Sequence, residues 1–124
     1  MSNGSVVWIV NASSHDYTPV RDIEGVKDVR AITTGYVSLG NYNRLLETIR
    51  NSLIDSEPED FLLLSGLPFL NVLAAVYFIN RHGGLNLLTW DKKYKTYRKF
   101  KLTNEQLDFL ENLNRAGDVH HEDD

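Results

Sequence analysis

The chain has 124 residues, 42% hydrophobic and 24% charged, with a net charge of −4 and no cysteine. That is one domain's worth of chain, with enough apolar residues for a single core. The composition excludes a disordered chain, a coiled coil, disulfides, cysteine metal sites and cysteine nucleophiles, and it does not indicate a generally basic nucleic-acid binder.

Ser5-Val-Val-Trp-Ile-Val10 is a short apolar run rich in β-branched residues. It predicts a strand buried on both faces. Asn11 to Gly25 carries Pro19 and many polar residues without a helical stripe, and reads as a long loop. Long ordered loops in compact domains are commonly functional. Val26 to Thr33 is a second strand, ended by Thr34-Gly35. Asn41 or Asn43 can cap a helix reaching about Leu53, with Leu45, Leu46, Ile49 and Leu53 at helical spacing. Ser56-Glu-Pro-Glu-Asp60 is a turn, and Phe61 to Leu64 is a third strand. After Ser65-Gly66-Leu67, Pro68 suits the first position of a helix. That helix, Phe69 to Arg81, is apolar almost all round, so heavy burial is expected. Gly83-Gly84 stops it. Leu85 to Trp90 and Thr96 to Leu102 form an antiparallel hairpin. Thr103-Asn-Glu-Gln106 is a capping box opening a last helix that Gly117 ends, with Leu107, Leu110 and Leu113 on one stripe.

The order β–loop–β–α–β–α–β–β–α predicts an α/β domain over 1–117. Its sheet is Rossmann-like and mainly parallel, with about five strands, an antiparallel edge hairpin and three helices. Asp118 to Asp124, with four acids and two histidines, reads as a solvated tail. No apolar run approaches the roughly 20 residues of a membrane span. The first residues lack the features of a secretory signal. The expected setting is therefore cytoplasmic, without membrane attachment.

Ligands of open parallel sheets bind beyond the carboxyl ends of the strands. Three such ends carry polar or glycine residues. They are Asn11 with Ser13, Ser14, His15, Asp16 and Tyr17; then Thr34 and Gly35; then Ser65 and Gly66, with Asn71 one turn into the next helix. Together they form the candidate ligand-binding rim. No phosphate-loop motif is present. Ser65-Gly66 before a helix can still cradle an anion, and turn chemistry alone explains it as well. Asn71, an amide in an apolar helix, must find partners. A tie to the Asn11 or Thr34 loop would supply them.

His15 is the one candidate for catalysis, as a base for Ser13, Ser14 or Ser65. Asp16 adjoins it in sequence and so points elsewhere, as a turn or cap. His82 ends a helix and suits its dipole. His120 and His121 lie in the tail, which lacks the second shell of a metal site. No metal or cofactor is expected.

Charge is uneven. Lys92, Lys93, Lys95, Arg98, Lys99 and Lys101 lie in one acid-free stretch, leaving seven basic residues against 17 acidic ones elsewhere. With Tyr94, Tyr97 and Phe100 interleaved, the stretch has the composition of a nucleic-acid surface. It also suits a lysine-guarded edge strand, the reading carried forward here. An acidic partner, or the acidic remainder of a second copy, would fit the patch too.

Val10-Asn11, His15-Asp16-Tyr17, Thr34-Gly35, and Asp60 to Gly66 with Asn71 together resemble small α/β proteins encoded by bacteriophages, over residues 5–91. The resemblance implies a Rossmann-like fold and no particular activity. The Ser65-Gly66 junction is also similar to Rossmann-like nucleotide-sensing domains, including sensors of CRISPR-linked cyclic oligoadenylates. Those carry a longer Gly/Thr-rich stretch and a basic residue where this chain has Leu67-Pro68.

Three functions fit these features. The first is a binding module holding a small ligand, such as a nucleotide, at the rim. The second is a protein-interaction or assembly component whose rim is structural. The third is a hydrolase using His15. A phage-encoded member would work in the host cytoplasm.

Overall fold

The computed structural model describes residues 4–13, 15–106 and 108–112. Five strands form one sheet: β1 (Ser5–Ala12), β2 (Val26–Thr34), β3 (Phe61–Leu63), β4 (Gly84–Asp91) and β5 (Thr96–Thr103). The order across the sheet is β2-β1-β3-β4-β5. The first four strands are parallel, and β5 runs antiparallel to β4. The domain is therefore α/β, with the mainly parallel sheet and antiparallel edge pair that the alternation of elements predicts.

Three helices have defined limits: α1 (Thr18–Arg21), α2 (Tyr42–Leu53) and α3 (Pro68–His82). The chain winds one way from β1 to β2 and the other way from β2 through β4. Right-handed crossovers then place α1 on one sheet face and α2 with α3 on the other. Two clusters of buried side chains follow. Val6, Trp8 and Val10 point into the core under α2 and α3, with Leu45, Ile49, Leu53, Leu62, Leu70 and Phe78. Val7 and Ile9 point the other way, toward Val20, Phe61, Leu63 and Leu88. This alternation explains why β1 is apolar at every position from Val6 to Val10.

Two expectations need correction. The stretch read wholly as a loop contains α1, whose single turn is too short to show a helical period. Helix α3 is less heavily buried than expected. Leu70, Ala74 and Phe78 form its buried stripe, while Phe69, Val72 and Val76 are 42%, 57% and 50% exposed. The sheet covers one side of the helix and α2 part of another, so apolar composition exceeds what the packing uses.

The local signals elsewhere act as their chemistry requires. Asn41 Oδ1 accepts from the Arg44 amide and starts α2. Pro68 opens α3, and Gly83 closes it in the left-handed conformation, φ 77°. After β5 the chain is helical at 104–106 and 108–112. The capping box is formed: the Thr103 amide donates to Gln106 Oε1, the Gln106 amide donates to Thr103 Oγ1, and the two side chains are also bonded to each other. Leu107, Leu113, Gly117 and the acidic tail 118–124, with His120 and His121, lie outside the described residues. No helix among the described residues is long and apolar enough to cross a membrane.

Asp60 anchors the start of β3. It is 1% exposed, and its carboxylate accepts from the Val6 amide, the Trp8 indole and the Glu57 amide at 2.9–3.0 Å. Its carbonyl accepts from Asn86 Nδ2 at 3.0 Å. One side chain thus ties β1 to the turn before β3, while its backbone reaches β4.

Candidate functional site

Strand order reverses between β1 and β3, because the chain leaves β1 for one neighbour and later returns to the other side. Loops leaving the two strands diverge there and open a crevice. A cleft of about 660 Å³ occupies this position, within the usual size of small-ligand sites. Asn11, Ser13, His15, Asp16, Tyr17 and Pro19 line it from the β1 side. Leu63, Leu64, Ser65 and Gly66 line it from the β3 side, and Trp90 and Tyr97 from the hairpin.

The β1 and β3 ends are sewn together. Ser65 Oγ donates to the Asn11 carbonyl and accepts from the Asn11 amide, both at 3.0 Å. Asn11 Nδ2 donates to the Gly35 carbonyl at 3.1 Å, tying in the end of β2. Gly66 has φ +75°, and a Cβ there would lie 2.8 Å from Asn11 Cβ. Glycine is required at this position for both conformation and space. Asn71 Oδ1 accepts from the Ser65 amide, and its Nδ2 donates to the Leu67 carbonyl. Asn71 therefore fixes its own strand-to-helix turn and reaches neither the Asn11 nor the Thr34 loop. The Ser65 amide and hydroxyl are engaged within the protein, and no lysine or arginine among the described residues lines the cleft. Both features count against phosphate recognition.

The front lip is built by α1. Asp16 Oδ1 accepts from the Thr18 amide at 2.9 Å. Thr18's side chain and amide hold the Asp16 carboxyl below the usual carboxylate value. Asp16 thus shapes the turn and leaves His15 alone. Tyr17 Oη accepts from the Ser13 amide at 3.1 Å and lies 3.4 Å from Ser13 Oγ. The His15 ring stands edge-on to the Tyr17 ring, centroids 6.5 Å apart. Ser13 Oγ lies against Tyr17 Oη and the His15 amide, and Ser65 Oγ is bonded to Asn11, so among the described residues no serine hydroxyl pairs with the His15 ring. Ser14 lies outside the described residues.

The back wall is aromatic. Trp90 and Tyr97 face each other across the β4–β5 pair, ring centroids 5.0 Å apart at 66°. Trp90 is 48% exposed. Burial pushes the Tyr97 phenol up, and the nearby Tyr17 phenol adds to the shift. One more polar group stands out: Asn11 Oδ1 is buried and has no hydrogen-bond partner among the described residues.

Seven of the sequence-derived rim residues thus meet in one cleft. Thr34 lies instead in a separate shallow depression with Tyr36, Ser38, Asn41 and Arg44. Gly35 meets the site only through its carbonyl, and Asn71 supports it from below. Trp90 and Tyr97 were not among the candidates. The rule that selected the ends of β1, β2 and β3 applies equally to β4, and it would have found Trp90.

The basic residues lie along the hairpin beside the cleft. Asp91 Oδ1 accepts from the Lys93 and Tyr94 amides, and Asp91 Oδ2 pairs with Arg98 Nε at 2.6 Å. Partial desolvation pushes the Asp91 carboxyl up, but the Tyr94 and Lys93 amides and Arg98 outweigh it and hold it low. Arg98 and Lys93 both sit over the Tyr94 ring. Lys99 lies over Phe61 and donates to the Glu24 carbonyl at 3.4 Å. Lys95 adopts φ 51°, and Lys92, Lys95 and Lys101 project into solvent.

Fold and cleft define an open α/β domain with a crevice at the reversal of strand order, the architecture of many small-ligand modules. The family profile described as phage Pam3 gp32-like protein matches residues 6–104, and the chain belongs to that family. The match runs from the start of β1 just past the end of β5. No curated protein and no solved structure matches the chain.

Proposed function

We propose that this protein is a non-catalytic binding module whose cleft at the β1/β3 crevice holds a small planar ligand. A neutral nucleobase or nucleoside fits better than a nucleotide. The observation that carries this reading is the exposed aromatic wall, Trp90 with Tyr97, at the back of the crevice. A planar ring can stack on that wall. The absence of a lining cation among the described residues and the Asp16 carboxylate at the lip disfavour a phosphate. A cytoplasmic setting, the host's for a phage-encoded member, suits this role.

Thermal-shift and tryptophan-fluorescence titrations with the common nucleosides and their monophosphates test it. Trp90 is the exposed indole and Trp8 the buried one, so quenching reports on the cleft. Nucleosides should stabilise the protein more than their monophosphates, and Trp90→Ala should abolish the effect. No shift at millimolar concentration would sink the reading.

A second reading, an assembly component, draws on a different surface. Tyr42 stacks on Phe69 with centroids 5.9 Å apart. With Val72 and Val76 the pair forms an exposed apolar strip along α2 and α3.

A further inference from the structure

We propose that the free edge of β5 is a docking site for an extended acidic segment of a partner protein, added to the sheet as a sixth strand. Among the described residues β5 is the last strand of the sheet and pairs only with β4. Alternate residues of β5 therefore turn their amides and carbonyls to the far edge, where no strand among the described residues pairs with them. Such an edge accepts an extended peptide through backbone hydrogen bonds, and side chains of alternate residues set the specificity.

The side chains along this edge define the partner's chemistry. Tyr97, Lys99 and Lys101 lie on the α1 face of the sheet, and Arg98, Phe100 and Leu102 on the α3 face. Lys92, Lys93 and Lys95 flank the strand in the turn. No acidic residue occurs between Lys92 and Lys101. An incoming strand would meet cations on the α1 face and, at Phe100, a 49% exposed ring on the other. Alternating acidic and apolar residues satisfy both.

A second copy of β5 satisfies neither, because antiparallel self-pairing sets cations beside cations. Nucleic acid is also a poorer match. Single strands need a row of free rings to stack on, whereas along this edge Tyr94 is capped by Lys93 and Arg98 and Phe100 is left as one exposed ring.

The test uses the full chain and two blocked decapeptides of glutamate and valine. One alternates the two residues; the other has the same composition in two blocks. The alternating peptide should bind in a salt-sensitive manner and protect alternate β5 amides from hydrogen exchange. The double variant Lys95→Glu, Lys101→Glu should bind it about ten-fold or more weakly. Among the described residues neither lysine side chain makes a hydrogen bond, ion pair or ring contact, so melting of the variant should match the parent. The proposal is overturned if the blocked-sequence peptide binds equally well without amide protection, if neither peptide binds at millimolar concentration, or if the double variant binds unchanged. It is also overturned if an oligonucleotide perturbs the same β5 amides at lower concentration than the peptide.

Discussion

Asp60 shows how much can hang on one side chain. Its carboxylate serves three donors in the interior. Replacing it with alanine leaves the Trp8 indole and two amides unpaired and should cost about 3 kcal/mol or more. Asp60→Asn retains one acceptor and should recover part of that loss. Urea titration of the two variants checks the order. His82 works differently. Ser56 Oγ donates to the Leu53 carbonyl at 2.5 Å, so His82 Nε2 is the donor in its 2.8 Å bond to Ser56. Burial first and Arg81 second lower the imidazole's pKa below 6.5, against the opposing pull of Asp60, Glu57 and Glu59. The folded protein then binds fewer protons than the unfolded chain. The stability tied to neutral His82 is complete above pH 6.5 and is lost as pH falls through the lowered folded value. Melting temperatures between pH 8 and 5 should fall less steeply in His82→Gln. Neither role can be read from composition: Asp60 looks like one more polar turn residue, and His82 like a simple partner for a helix end.

Among the elements, α3 separates what a pattern reveals from what only packing decides. Its limits were legible from Pro68 and Gly83. Its burial was not, because apolar residues on nearly every side leave the period undefined. The buried stripe implies a sharp contrast. Phe78→Ala should cost roughly 3–5 kcal/mol, whereas Val72→Ser, on the exposed side, should change stability by less than about 1 kcal/mol. Similar losses for both would show that the strip around Val72 is covered in solution. The rim was legible for the same reason as the sheet: short links between strands and helices require parallel strands, whose carboxyl ends then gather. Asn11, Ser65 and Gly66 emerge from that logic. The same logic extended to the end of β4 reaches Trp90 but not Tyr97, because an aromatic residue on an edge hairpin looks like ordinary strand material until its neighbour across the pair is known. α1 escaped for want of length.

At the scale of the whole molecule, charge and architecture are segregated together. Six of 13 basic residues lie on one edge hairpin of an otherwise acidic chain. Neutralising Lys93, Lys95, Arg98 and Lys99 should promote self-association at that edge, visible as concentration-dependent sedimentation. A variant that sediments like the parent at every concentration would show that the cations are not what keeps β5 apart from other strands. Membership of the phage Pam3 gp32-like family extends across this whole arrangement.

The place of β1 has a consequence for how the chain is made. The strand lies at the heart of the sheet, yet it precedes both of its neighbours in sequence. Its second partner begins only at Phe61, so Val7 must wait for a residue more than fifty positions downstream. During synthesis the run Val6 to Val10 therefore emerges early and lacks one flank until β3 has been added. The β4–β5 hairpin needs only its own turn and can close at once. A largely buried strand is thus the one exposed longest to wrong partners, and the interval before β3 arrives is when this chain is most prone to aggregate.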